Sequence, residues 1–125
     1  MFELSVEDTF SAAHRVKGYP GDCAGIHGHT YKIQVRVKVG KLDRLGMAID
    51  FRRVKRVLNK ILKALDHKNL NKLPFFKKHN ATAEWVAVYV YNEMKKKIKL
   101  VGSVTVWEGP NTSVTYSTNG SSVIE

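Results

Sequence analysis

The residues best suited to chemistry lie close together in C-A-G-I-H-G-H, Cys23 to His29. The segment runs directly into T-Y-K-I-Q-V-R-V-K-V. There Tyr31, Ile33, Val35, Val37 and Val39 alternate with mostly polar residues, the period-two signature of a half-buried strand. Extending that parity backwards puts His27 and His29 on the apolar face, projecting the same way, with Gly28 between them leaving the backbone open to close approach. Two imidazoles so spaced make two prongs of a divalent-metal grip. A third must come from another element.

The N-terminal segment supplies it. Phe2, Leu4 and Val6 alternate with polar residues and, after a polar break at Asp8, Phe10, Ala12 and His14 resume the pattern. If this strand pairs antiparallel with the Thr30 strand, the end of the first lies beside the start of the second, and His14 meets His27 and His29. Three neutral imidazoles suit Zn²⁺ and leave the fourth position open, as in catalytic rather than structural sites. Each histidine taken singly is equally compatible with an ordinary core or surface imidazole. The connection Arg15 to Ile26, rich in glycine and containing Pro20, reads as a surface loop that brings Cys23 to the same place. Cys23 could be the fourth ligand, an inert thiol, or a nucleophile or base with its pKa lowered by the cation.

The remaining elements frame this centre. Met47 and Ile49 suggest a short extended piece, and Asp50 is placed to cap a helix in which Phe51, Val54, Leu58, Ile61, Leu62 and Leu65 recur at helical spacing. Its outer face carries Arg52, Arg53, Lys55, Arg56, Lys60 and Lys63. Asp66 and His67 fall at or past its end, where a C-capping or surface role is the ordinary reading and an acid/base pair the functional one. Asn69 to Asn80 reads as a loop. Thr82 is placed to cap a second helix with Ala87, Val90, Tyr91, Met94 and Ile98 as its buried stripe. A third strand puts Glu108 on the same face as Val104 and Val106, which is costly unless the carboxylate meets a buried arginine or a ligand offering two parallel N–H groups. Thr112 to Ser117 forms a fourth strand, and Asn119 to Glu125 a poorly packed tail.

With 125 residues, of which 43% are hydrophobic, the chain is expected to form a single domain spanning 1–125. One cysteine excludes an intramolecular disulfide. No cationic leader precedes an apolar run and no apolar stretch approaches about 20 residues, so a cytoplasmic protein without a membrane partner is expected. The net charge of +10 is compatible with nucleic acid, an acidic surface, a polyanionic small substrate or a solvated exterior. The cations gather on one helix face and in K-K-K-I-K without interleaved aromatics, so no nucleic-acid partner is expected.

In order, F-S-A-A-H-R, C-x-x-x-H-G-H with an aromatic two residues on, G-M-x-x-D-F, L-D-H-K-N-L-N, T-A-E and W-E-x-P resemble the 6-pyruvoyl-tetrahydropterin synthase and 6-carboxytetrahydropterin synthase family, from Phe10 to Pro110. The three residues between Cys23 and H-G-H are similar to the carboxy branch. The resemblance implies an α+β tunnelling fold (T-fold): four antiparallel strands with two helices on one face, inserted between the second and third. Subunits would close into an oligomeric barrel, a homohexamer built as a dimer of trimers with active sites at subunit boundaries. Carried over position by position, His14, His27 and His29 resemble the zinc ligands, Cys23 the catalytic thiol, and Asp66 with His67 the acid/base relay. Glu108 resembles the pterin anchor and Thr82 a second ring contact, while Arg15 beside a metal ligand is a candidate phosphate contact. The implied reaction is a zinc-dependent lyase step from 7,8-dihydroneopterin triphosphate to 6-carboxy-5,6,7,8-tetrahydropterin, acetaldehyde and triphosphate in queuosine- or archaeosine-type deazapurine biosynthesis. A 6-pyruvoyl-tetrahydropterin synthase or another dihydroneopterin side-chain lyase is the alternative on the same scaffold. A non-catalytic, basic, metal-stabilised RNA-binding module is the alternative from another class. Trp85 and Ala81 depart from the usual Asn and Pro of this family, which bears on the surroundings of Thr82.

Overall fold

The two alternating segments at the N-terminal end pair as expected. A computed structural model describes residues 1–18 and 25–118 of the chain. In it β1 (Phe2–His14) and β2 (His27–Val39) form a long antiparallel ladder running from Phe2 opposite Val39 to His14 opposite His27. β3 (Val101–Gly109) pairs with β2, and β4 (Thr112–Tyr116) with β3, giving one sheet in the order β1-β2-β3-β4. Between β2 and β3 the chain forms α1 (Phe51–Lys63), a single 3-10 turn at Leu70–Lys72, the short α2 (Pro74–Lys78) and α3 (Ala83–Lys97).

The alternation explains the layering. Val6, Phe10, Tyr31, Ile33, Val35, Val104 and Val106 are all buried on one sheet face, where they meet Val54, Leu58 and Leu62 of α1 and Val86, Ala87, Val90 and Met94 of α3. A strand turns every second residue to one face, and a helix buries one stripe, so a sheet and two helices close a single core. Both predicted caps form: the Asp50 carboxylate accepts from Arg52 N–H, and Thr82 Oγ1 accepts from Trp85 N–H.

Four expectations are corrected. The polar break at Asp8 does not interrupt β1; Asp8 keeps its inward parity at the rim of the core, with the Asn59 amide 3.5 Å away. Met47 and Ile49 do not form an extended piece. The Asp43 carboxylate accepts from the N–H groups of Leu45 and Met47, which winds that segment into a turn. The loop from Asn69 to Asn80 contains the 3-10 turn and α2, started by Asn69 as cap and Pro74 at the first helical position. Phe51 is exposed although it has helical spacing with Val54 and Leu58, which are buried.

Among the described residues no helix is long and apolar enough to cross a membrane. The expected tail, Asn119 to Glu125, lies outside the described residues.

Burial separates two α1 positions that spacing makes equivalent. Leu58→Ala removes a fully buried side chain and should lower unfolding stability by about 2–5 kcal/mol in urea titration. Phe51→Ala should change it by no more than about 0.5 kcal/mol. Similar losses for both would contradict the packing described.

Candidate metal centre

His14 ends β1 and His27 begins β2, and the ladder places them directly opposite one another, with His29 opposite Ala12. The rings converge. Their centroids lie 4.6 Å (His14–His27), 5.0 Å (His14–His29) and 4.8 Å (His27–His29) apart, and one nitrogen from each falls within 4.8 Å of the others. The fold therefore brings together the three histidines singled out by strand parity.

Hydrogen bonds fix which nitrogens point inward. His14 Nδ1 lies 2.5 Å from the Ala81 carbonyl oxygen and His27 Nδ1 lies 2.8 Å from that of Gly25. A carbonyl can only accept, so both Nδ1 atoms carry hydrogen and both Nε2 atoms are left with a lone pair. His14 Nε2 is buried and has no hydrogen-bond partner among the described residues. Burial also pushes the His14 pKa below its ordinary value, against the opposing pull of the Ala81 bond and the Glu108 charge, which keeps that lone pair unprotonated. An orphaned, buried, unprotonated imidazole nitrogen beside two more imidazoles fits a divalent cation.

Glu108 enters the same space. Its Oε2 lies 3.5 Å from His14 Nε2 and 3.9 Å from His29 Nε2. Among the described residues it is imidazoles, and not a buried arginine, that meet this inward carboxylate. Glu108 also borders an open recess of about 180 Å³ with Ala83, Glu84 and Ser113, at the N-terminus of α3. Thr82 caps that helix through an Oγ1 lone pair and keeps its hydroxyl hydrogen for another partner.

Asp66 and His67 lie on the outer edge of β1. His67 N–H donates to Ser11 O (2.6 Å), Ala13 N–H donates to Lys68 O (3.0 Å), and Asn69 bridges to Ala13 in parallel. Asp66 Oδ1 accepts from Ser11 N–H, and that bond, more than the neighbouring His67, holds its carboxyl below the ordinary range. Its Oδ2 lies 3.0 Å from His67 Nδ1. The ordinary C-capping reading does not hold, since Ala64 caps α1 and the pair is instead docked on a strand. His67 is exposed, adopts the left-handed backbone conformation (φ 57°), and shares with Ser11, Gly28, His29 and Asn69 a recess of about 550 Å³. Gly28 faces this recess rather than the histidine pocket. A Cβ there would meet only Ala12 O, at 3.9 Å, so close backbone approach does not serve the metal grip.

Arg15 is exposed, and its backbone is clamped by Asn71, whose amide accepts from Arg15 N–H and donates to Arg15 O. Asn80 clamps Lys17 in the same reciprocal way. These two asparagines and the Ala81 carbonyl are site-building groups that spacing did not reveal. The only sequence signal was their position in polar stretches flanking the predicted helices. Cys23 lies outside the described residues.

A four-stranded antiparallel sheet with helices on one face, and a three-imidazole pocket at one end of its first ladder, defines a tunnelling-fold protein with a candidate metal centre. The chain matches the family model described as 6-pyruvoyl tetrahydropterin synthase over residues 3–119, and it belongs to that family. It is 33% identical to the 6-carboxy-5,6,7,8-tetrahydropterin synthase of Haemophilus influenzae, over 93% of this chain and 99% of that protein. It is also 33% identical to the dihydroneopterin monophosphate aldolase of Pyrococcus furiosus, over 81% and 84%. The solved structure of Caenorhabditis elegans 6-pyruvoyl tetrahydropterin synthase superposes with a TM-score of 0.86 at 30% identity, covering 94% of this chain and 96% of that one.

One buried group at this centre invites a simple test. The Tyr31 hydroxyl is buried without a hydrogen-bond partner among the described residues, and burial followed by the Glu108 charge pushes its pKa upward, so it stays un-ionised. Tyr31→Phe removes an unsatisfied polar group and should raise the urea midpoint, by about 1 kcal/mol in stability. A clear loss of stability would show that the hydroxyl has a partner in solution.

Proposed function

We propose that this protein is a zinc-dependent lyase that converts 7,8-dihydroneopterin triphosphate to 6-carboxy-5,6,7,8-tetrahydropterin, acetaldehyde and triphosphate, supplying deazapurine biosynthesis of the queuosine or archaeosine type. The observation that carries the proposal is the convergence of His14, His27 and His29 beside Glu108, in a chain aligned over 93% of its length with a 6-carboxy-5,6,7,8-tetrahydropterin synthase.

His14, His27 and His29 would hold the zinc. When bound, it would act as a Lewis acid that polarises hydroxyls on the substrate side chain. Glu108 accepts hydrogen bonds from the amino-pyrimidinone edge of the ring, in the recess at the start of α3, with the Thr82 hydroxyl as a second contact. Cys23, as a thiolate, removes a carbon-bound proton. His67, held at Nδ1 by an ionised Asp66, carries protons at its Nε2. In this reading a neighbouring subunit closes the site. Among the described residues no strand pairs with the outer edge of β4, and sheet-edge association into a homohexamer is the proposed route. Arg15 and the surrounding positive charge draw the triphosphate, and the protein is placed in the cytoplasm.

A second reading has specific support, since a 6-pyruvoyl tetrahydrobiopterin synthase from Drosophila melanogaster aligns at 32% identity. Anaerobic incubation of the zinc-loaded protein with 7,8-dihydroneopterin triphosphate, followed by mass identification of the products, separates the two. Acetaldehyde with 6-carboxytetrahydropterin is the expected result; a pyruvoyl product without acetaldehyde would refute the first assignment.

Cys23→Ala should keep its zinc and lose about 10²–10⁴-fold in turnover. Near-normal turnover would remove the thiol from the mechanism. His27→Ala should lose zinc on dialysis, read by metal content, and unchanged content would contradict its role as a ligand.

A further inference from the structure

The orientation of Glu108 toward two lone-pair nitrogens is physically odd for a ring anchor alone. His14 gives its Nδ1 hydrogen to Ala81, so its Nε2 offers only a lone pair to a carboxylate oxygen 3.5 Å away. Two acceptors facing each other, one of them in a side chain that is 2% exposed, repel unless a proton or a metal cation lies between them, and three converging imidazoles favour the metal. Among the described residues, the ionic contacts of Glu108 are these two imidazoles and no lysine or arginine.

The spacing also suits a shared ion. Ligand atoms about 2.0–2.2 Å from a tetrahedral zinc lie about 3.3–3.6 Å from one another. The carboxylate oxygen stands 3.5 Å from His14 Nε2, inside that range, and 3.9 Å from His29 Nε2, just outside it, while the ligand atoms that all lie within 4.8 Å of one another are those of the three histidines. We propose that Glu108 is the fourth protein ligand of the resting metal, and that it leaves the metal when a pterin ring takes its carboxylate. This rests on the reading above, in which the pocket holds a divalent cation and Glu108 meets the ring.

The placement of Glu108 suits an exchangeable ligand. His14 is buried and pinned at its far nitrogen, whereas Glu108 is one-third exposed and sits where the β3–β4 register shifts, between Trp107 and Gly109. From there it borders both the histidine pocket and the recess with Ala83, Glu84 and Ser113. One carboxylate cannot satisfy both partners in full, so a bare ring and the metal must oppose each other's binding by the same factor. In this scheme the fourth position is closed at rest and opened by the ring, which protects the metal until substrate arrives.

Two titrations test this. Zinc affinity, read by competition with a chromophoric chelator, should fall about 10–100-fold in Glu108→Gln and in Glu108→Asp. The Asp variant keeps the charge but is one methylene too short, so a loss in both excludes a merely electrostatic effect. Unsubstituted pterin, which has no side-chain hydroxyls for the metal, should bind several-fold more weakly to zinc-loaded than to metal-free protein. Thermal unfolding of the metal-free variants establishes that each is folded. Unchanged zinc affinity in both variants, or equal pterin binding to the two forms, would overturn the proposal while leaving a three-histidine site intact. If instead the wild-type protein binds no zinc and His27→Ala behaves identically, the metal reading itself fails, and this inference with it.

Discussion

The antiparallel register of β1 against β2 is the constraint on which the centre depends. With His14 opposite His27 and Ala12 opposite His29, three imidazoles meet on one face. Shifting either strand by one residue would turn its whole apolar set to solvent, so burial of Phe10, Tyr31, Ile33 and Val35 holds the histidines in place as well. Core and site are successive stretches of one alternating pattern. The apolar residues supply the free energy of burial, and the same ladder extended by a few residues supplies the chemistry.

Register alone would leave the rings free to rotate. What orients them is a shell of backbone and amide groups from distant parts of the chain. The Ala81 carbonyl sets the tautomer of His14 and aims its Nε2 into the pocket, as outer-shell partners of metal-binding histidines commonly do. Asn71 and Asn80 tie the chain just beyond His14 to the segments on either side of α2, each through a reciprocal pair of bonds. The end of β1, the residue preceding the cap of α3 and the turn after α1 are therefore one connected unit. A change in any of them reaches the centre through backbone geometry rather than through direct contact.

The segment Asp66–Asn69 has a second structural effect. By pairing with Ser11 and Ala13 it covers the outer edge of β1, which would otherwise present unpaired N–H and C=O groups, and it does so next to the candidate metal centre. His67 takes the left-handed conformation where the chain turns onto that edge, and its imidazole stays open to solvent. An ionised Asp66, fixed by Ser11 N–H, holds the ring from one side. Asp66 and His67 are thus docked on the strand that ends in His14, a candidate metal ligand.

Much of this was legible in the residues. Period-two alternation located both long strands and put His14, His27, His29 and Glu108 on inward positions, because the side-chain direction in a strand is a property of parity and needs no knowledge of neighbours. Helix spacing and cap chemistry located α1 and α3, with Asp50 and Thr82 as their caps. The family was also readable, from ordered motifs between Phe10 and Pro110. Tertiary structure alone decided that Phe51 falls outside the core, that Asp43 winds Leu45 to Met47 into a turn, that Asp66 and His67 dock on a strand edge, and that Glu108 faces imidazoles rather than an arginine. Each of these depends on which groups distant in sequence come within a few ångströms, and hydrogen bonds and charges, unlike parity, act over distances that only the folded chain defines.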